Sequence, residues 1–399
     1  MSKMRTSNTK VKNNLVADAV NNLAPSGIRK FFNLLSSIEG VISLGIGEPD
    51  FVTPWHIREA AIHSLEKGYT MYTSNEGSPK LREELARYLE SNCSLNYNPE
   101  KELLITVGVS EGLDLALRAI LNPGDEVIIP DPCYVAYPAC IHLAGGIPIT
   151  IPTIEENNFQ IRVDEIEQRI TPRTKAILIG YPANPTGAVM PKQELVQIAR
   201  LAKQYDLLVI SDEIYGQLVY DTEHTCFANI PEMKERTIFL NGFSKAYAMT
   251  GWRIGYAASN SEIIGAMTKI HQYTMLCAST MGQEAAIEAL RAGDIEAASM
   301  IAEYNQRRRF IVKRLRDIGL SCFEPKGAFY AFPSIKSTGM SSEEFAEKLL
   351  FEEKVAVVPG SAFGQCGEGY IRCCYATSLP EIEEALNRMD KFIKRHCSK

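Results

Sequence analysis

The chain has 399 residues, a formal net charge of −6, 45 % hydrophobic and 23 % charged residues, and ten cysteines. That length suggests about two domains, the mild charge speaks against nucleic acid or an acidic membrane surface as partner, and no apolar run is long enough to span a bilayer. Cysteines scattered without a CxxC pair or a His/Cys ligand cluster predict reduced thiols in a cytoplasmic protein and no metal site.

The first residues carry Lys3, Arg5, Lys10 and Lys12 with no apolar core behind them. This predicts a mobile arm over 1–27 rather than a secretory signal. Helical spacing covers 16–32, broken near Pro25-Ser26-Gly27. Residues 41–54, VISLGIGEPDFVTP, begin as a short strand and turn irregularly at Gly45, Gly47 and Pro49. Gly47 serves either the turn itself or a ligand that approaches the backbone closely, since it has no side chain to block one. The stretch has neither GxGxxG spacing nor a P-loop lysine. A helix over 55–66 leads into Gly68-Tyr69-Thr70-Met71-Tyr72 and a glycine turn at Gly77.

Residues 103–107 (LLITV) read as a buried strand, and after Gly108 the residues Leu113, Leu117 and Ile120 fall on one helix face. A strand, a glycine turn and a helix start carrying a hydroxyl form the arrangement that binds phosphate, because free N–H groups and the helix dipole both favour an anion. The competing reading makes Ser110 a plain helix cap. Three further apolar runs, 126–130, 175–180 and 207–211, read as strands, the last apolar nearly throughout, as expected in a parallel sheet where both faces are covered. Each ends in a polar or turn-forming group: Asp131-Pro132-Cys133-Tyr134, Tyr181-Pro182-Ala183-Asn184-Pro185-Thr186-Gly187, and Asp212-Glu213-Ile214-Tyr215. Ligands bind at such strand ends in open α/β sheets. Asn184 fits a turn as well as a ligand contact, and one prolyl bond of its loop is a candidate for cis. Asp212 at the mouth of a buried strand needs a partner, or else it caps a helix.

The strand at 237–240 runs into NGFSKAYAMTGWRIGY (241–256). Small and hydroxylated residues surround Lys245, and Arg253 follows eight residues on. Lysine forms a Schiff base with a carbonyl cofactor, and a partly desolvated site favours the neutral amine this needs. Arginine offers a cationic fork for phosphate, so the two together can hold both ends of a small phosphorylated aldehyde. A long helical pattern covers 279–315. A second α/β unit follows, with strands at 328–333 and 355–359, a helix at 341–352, a last strand from Gly369, and a helix over 380–394. Arg372 sits inside that apolar last strand, where it calls for an anion, supplied by a ligand or by a structural salt bridge.

The stretch S-K-x-x-x-x-x-G-W-R-x-G resembles the lysine motif of class I/II aminotransferases, pyridoxal 5'-phosphate enzymes of the aspartate aminotransferase fold. The resemblance extends from about residue 28 to near the end of the chain and includes the N-P-T-G and R-x-x-[FY]-A motifs. It implies a seven-stranded, mostly parallel sheet between helices, which the strand–helix alternation supports independently. The implied division is a small-domain segment at 28–50, a large cofactor-binding domain at 51–290 and a C-terminal small domain at 291–399. By resemblance Lys245 carries the cofactor and moves the proton. Val109, Ser110 and Arg253 bind its phosphate, joined by Tyr72 of a neighbouring subunit, so a homodimer with a shared site is expected. Tyr134 stacks on the ring, where many members have tryptophan. Asp212 pairs with the ring nitrogen, Asn184 and Tyr215 with the ring's phenolic oxygen, and Gly47 and Arg372 with the substrate carboxylate, Asn184 being counted with them among the substrate-binding residues. The family's serine three residues before the lysine is here Gly242, which leaves Ser244 as the candidate replacement.

The activity implied is ping-pong transfer of an amino group from an L-amino acid to a 2-oxo acid. S-G-I-R-K-F and G-E-P-D-F look closest to a branch containing aromatic and N-acetyl-diaminopimelate aminotransferases. With no second arginine matching a side-chain carboxylate clamp, an aromatic or broad donor with 2-oxoglutarate as acceptor is expected. Aspartate or N-acetyl-diaminopimelate aminotransferase, or a carbon–sulfur β-lyase, are the alternatives. A regulator on this scaffold is disfavoured by the charge and by the lack of room before residue 28 for a DNA-binding module.

Overall fold

A computed structural model describes residues 15–23 and 38–397. The basic residues of the arm and the S-G-I-R-K-F stretch lie outside the described residues. So does most of the helix expected over 16–32, of which Asp18–Asn21 is seen as a single turn.

Seven strands form the central sheet: β2 (Leu103–Thr106), β3 (Glu126–Asp131), β4 (Ile147–Pro152), β5 (Thr174–Gly180), β6 (Leu208–Asp212), β7 (Thr237–Gly242) and β8 (Gly255–Ala258). Their order is β2-β8-β7-β6-β5-β3-β4. Only β8 runs antiparallel to its neighbours. The alternation of side chains along each strand builds two cores at once. On β5, Ala176 and Leu178 join one buried cluster while Ile177 and Ile179 join the other. Each fully buried Leu or Ile of this kind contributes about 1.5–3 kcal/mol. Strand β4 escaped sequence reading because IPITIP is an edge strand, largely exposed and interrupted by prolines that a central strand would reject.

Near one another in this order, β5, β6, β7 and β2 deliver their C-terminal ends to one edge. The register pairs Gly255 of β8 with both Thr106 and Gly242. That register brings the helix start after β2 against the lysine loop after β7. The helix begins at Gly108 and runs to Ile120.

A second layer holds short strands packed with helices. β1 (Ile42–Ser43) pairs in parallel with β10 (Val355–Ala356). β12 (Ile371–Cys374) lies between β11 (Val358–Pro359) and β9 (Tyr330–Ala331), antiparallel to both. The single strand expected at 355–359 is thus two, serving different sheets, and the strand expected at 328–333 is only two residues long. The helix expected over 279–315 is also two, Thr280–Ala292 and Asp294–Asp317. Gly293 separates them, packed so tightly that a Cβ there would lie 2.6 Å from the Ala289 carbonyl and 2.8 Å from the Tyr247 ring. The last helix spans Leu379–Cys397. No helix among the described residues is long and apolar enough to cross a membrane.

Candidate active site

One cavity of about 510 Å³ opens at that sheet edge, and eleven of the twelve residues singled out from the sequence line it. Gly47, Val109, Ser110 and Tyr134 border it together with Asn184, Asp212 and Tyr215; Ser244, Lys245, Arg253 and Arg372 complete it. The twelfth, Tyr72, is 81 % exposed and does not reach it within this chain.

Two cavity groups, Lys245 and Asp212, have their protonation shifted towards neutral pH. Lys245 Nζ donates to the Gly47 carbonyl at 2.7 Å. Burial first, then the cations Arg372 and Arg253, bring its amine down to about 8. A neutral amine is therefore within reach near physiological pH. Asp212 is buried at the end of β6, and burial raises its carboxyl to about 6. Its Oδ2 accepts from Tyr137 Oη at 2.9 Å and its Oδ1 from the Ile214 N–H at 3.3 Å. No helix begins at Asp212, so the helix-cap reading falls and the carboxylate faces the cavity. Tyr137 reaches it only because position 180 is glycine: a Cβ there would sit 2.1 Å from Tyr137 Oη.

At the buried end, Arg372 is 4 % exposed. Its Nη1 donates to Asn184 Oδ1 at 2.8 Å and its Nη2 to the Gly45 carbonyl at 2.7 Å. The guanidinium lies 4.5 Å from the Tyr330 ring centre and 4.8 Å from that of Phe363, while Nε is buried without a partner. Among the described residues no carboxylate pairs with it, so the structural salt bridge entertained from sequence is absent. A buried cation with only neutral partners suits an incoming carboxylate.

The opposite end is open to solvent. The helix starts at Gly108 after Val107, with no side-chain cap, so Ser110 is in the first turn and is not the cap. The first N–H groups of a helix lack partners within it, and Val109 and Ser110 of this first turn border the cavity. Arg253 stands beside them with φ of 56° and donates to the Thr250 carbonyl at 3.0 Å. A Cβ on Gly108 would meet Arg253 Nη2 at 2.7 Å, so glycine lets the guanidinium close over the turn. Gly242 answers the question raised by the family's serine: a Cβ there would lie 2.9 Å from Gly255 Cα and 3.0 Å from the Ile254 carbonyl. The β7–β8 pairing leaves no room for a side chain at 242, and Ser244 borders the cavity instead.

The fit to pyridoxal phosphate rests on these features: a depressed amine, a buried carboxylate, an amide and a phenol between them, an anion site at one end and an unpaired guanidinium at the other. The loops of Tyr181-Pro182 and Asn184-Pro185 both contain cis peptides. Sequence reading missed two contributors, Tyr137 and Tyr330, because an aromatic in an apolar run reads as packing. It also missed a cluster behind the site, Glu213, His224 and Cys226, whose ligand atoms lie within 4.8 Å of one another. There Glu213 already accepts from Ser211 Oγ, the Phe227 N–H and His224 Nε2.

The family model for aminotransferase class I and II matches residues 39–389. The Bacillus subtilis protein YugH is 57 % identical over 95 % of this chain and 98 % of its own length. An aspartate aminotransferase of Pyrococcus abyssi is 47 % identical, again over 95 % and 98 %. The crystal structure of an aromatic aminotransferase from Pyrococcus horikoshii superposes with a TM-score of 0.88 at 44 % identity, over 92 % of this chain and 99 % of that one.

Proposed function

Because the chain belongs to the class I and II aminotransferases, we propose that it takes the amino group of an aromatic or other neutral L-amino acid and passes it to a 2-oxo acid, with 2-oxoglutarate as acceptor. The chain is a pyridoxal 5'-phosphate-dependent transaminase. The observation that carries the reading of the site is Arg372, a buried guanidinium without a carboxylate, facing the same cavity as Lys245.

In this reading Arg372 binds the substrate α-carboxylate through the edge now turned to neutral oxygens, and the Gly47 backbone lies alongside. Asn184 already spends its carbonyl oxygen on Arg372, which leaves its amide hydrogens for the ring oxygen, as Tyr215 offers its phenol. Asp212 would hold a proton at the ring nitrogen. The helix start at Val109 and Ser110, with Ser244 and Arg253, would take the phosphate, and Tyr134 would cover the ring. Bound pyridoxal phosphate supplies an electron-withdrawing ring that makes the substrate's α C–H acidic. Lys245, neutral above about pH 8, takes the α proton and is the group that returns it. The donor leaves as an oxo acid before the acceptor enters, so ping-pong kinetics are expected.

A neutral donor is supported by the cations of the cavity. Among the described residues lining it they are Lys245, Arg253 and Arg372, each already assigned, and the carboxylate of Glu48 borders the mouth. We further take residues 51–290 as the cofactor-binding domain and 291–399, with β1, as the smaller one. We also propose a cytoplasmic homodimer. Met71 and Tyr72, both 81 % exposed, sit on a loop tied by Thr280 Oγ1 to the Met71 carbonyl at 2.6 Å. A second copy would cover them and bring Tyr72 to its neighbour's phosphate. The test is an initial-rate comparison of single amino donors with 2-oxoglutarate as acceptor. Phenylalanine or tyrosine should outpace aspartate; aspartate preferred over every neutral donor would overturn the substrate assignment.

A further inference from the structure

Tyr330 touches three parts of the site that arrive from distant points of the chain. Its Oη lies 2.6 Å from Tyr215 Oη, at the end of the central sheet. Its ring carries the Arg372 guanidinium, 4.5 Å from the ring centre. Its hydroxyl also fills the space left by the missing side chain of Gly47: a Cβ there would sit 2.5 Å from Tyr330 Oη. The residue is buried, with 1 % exposure, yet it borders the cavity. Of these contacts, only the ring under Arg372 could be replaced by phenylalanine.

We propose that Tyr330 is a positioning residue that acts through Tyr215: its hydroxyl donates to Tyr215 Oη, which aims the Tyr215 proton into the cavity and strengthens it as a donor. The inference rests on the reading of Tyr215 as the phenol facing the cofactor ring oxygen. Two phenols in contact share one hydrogen bond, and each has one proton to give. Burial, and then the contact with Tyr330, hold Tyr215 well above its ordinary value; burial raises Tyr330 as well, offset in part by the Arg372 guanidinium and by the bond to Tyr215, so both keep their protons. If Tyr215 spent its proton on Tyr330, it would have none for a ligand. With Tyr330 as donor, Tyr215 becomes an acceptor and a donor at once, and a chain of two hydrogen bonds polarises its members cooperatively. Gly47 is then required for a second reason besides access for a ligand. Any side chain there would push the Tyr330 hydroxyl off Tyr215.

The consequence is electronic. A donor to the ring oxygen stabilises negative charge on it and so lowers the proton affinity of the neighbouring lysine-linked nitrogen. Weakening that donor raises the proton affinity. The experiment is a pH titration of the visible band of the reconstituted holoenzyme, comparing wild type with Tyr330→Phe, Tyr215→Phe and the double variant. Tyr330→Phe should raise the midpoint by about half to one pH unit, roughly three- to tenfold in proton affinity, the scale of one hydrogen bond. Tyr215→Phe should raise it further, and Tyr330→Phe should add nothing in the Tyr215→Phe background. Gly47→Ala should raise it too, and again add little once Tyr330 is Phe, since the nearest remaining ring atom is 3.3 Å from that Cβ. A merely structural Tyr330 would lower the melting temperature and leave the midpoint alone. An unchanged midpoint in Tyr330→Phe, or a shift that adds fully to that of Tyr215→Phe, overturns the proposal while the reading of the site stands. A wild type whose band is absent removes that reading, and this inference with it.

Discussion

Replacing Lys245 with methionine should stabilise the cofactor-free protein at neutral pH while abolishing turnover. The folded state holds the amine at about 8 against an ordinary 10.5. At 1.36 kcal/mol per pH unit, that drop corresponds to about 3 kcal/mol of unfavourable burial of the ammonium. The side chain keeps some contact with solvent, which screens part of this, and methionine loses the bond to the Gly47 carbonyl, about 1 kcal/mol. A net gain of about 1–2 kcal/mol remains. The sign follows from linkage. The folded value lies below the unfolded one, so between about pH 8 and 10.5 the unfolded chain binds more protons and wild-type stability rises with pH. The cost of the ammonium is full below pH 8 and gone above 10.5. Urea denaturation of both cofactor-free proteins, at one protein concentration and at pH 6.5, 8 and 9.5, measures it. The variant should lead at pH 6.5 and lose its lead by pH 9.5. A variant less stable at pH 6.5, or a difference that does not change with pH, would refute the electrostatic account of Lys245.

Arg372→Ala should weaken the apparent affinity for amino acids by about 2–5 kcal/mol, the usual cost of removing one partner of a buried charged pair; unchanged affinity would show that another group binds the carboxylate. Asp212→Asn should slow α-proton removal severely, read as a loss of the substrate isotope-exchange rate, because a neutral amide holds no proton at the ring nitrogen. Gly108→Ala should weaken cofactor binding at least tenfold in a fluorescence titration, since the new Cβ would press on Arg253 Nη2 at a φ of +75° that side chains resist.

The site was more legible in the sequence than the frame that carries it. Asn184, Asp212 and Lys245 follow three apolar runs directly, and a polar group after a buried strand can stand only at a sheet end. Gly242 was visible as a departure, but its reason lies in the contact with Gly255, a pairing across two strands that periodicity does not reveal. Tyr137 and Tyr330 were invisible for a related cause: each reads as packing in an apolar run, and its hydroxyl meets Asp212 or Tyr215 only across a distant part of the chain. The second layer was read too coarsely because β9, β10 and β11 have two residues each, below the length at which alternation carries information.

The visible spectrum of the purified protein, supplied with pyridoxal phosphate and then with single amino acids but no oxo acid, tests the central claim most directly. The account predicts a band from the lysine-bound cofactor that is lost when a neutral amino acid is added and returns with 2-oxoglutarate, while Lys245→Met shows no such band. A band that persists while pyruvate accumulates would mark a lyase, and a wild type that forms no band would contradict the role given to Lys245.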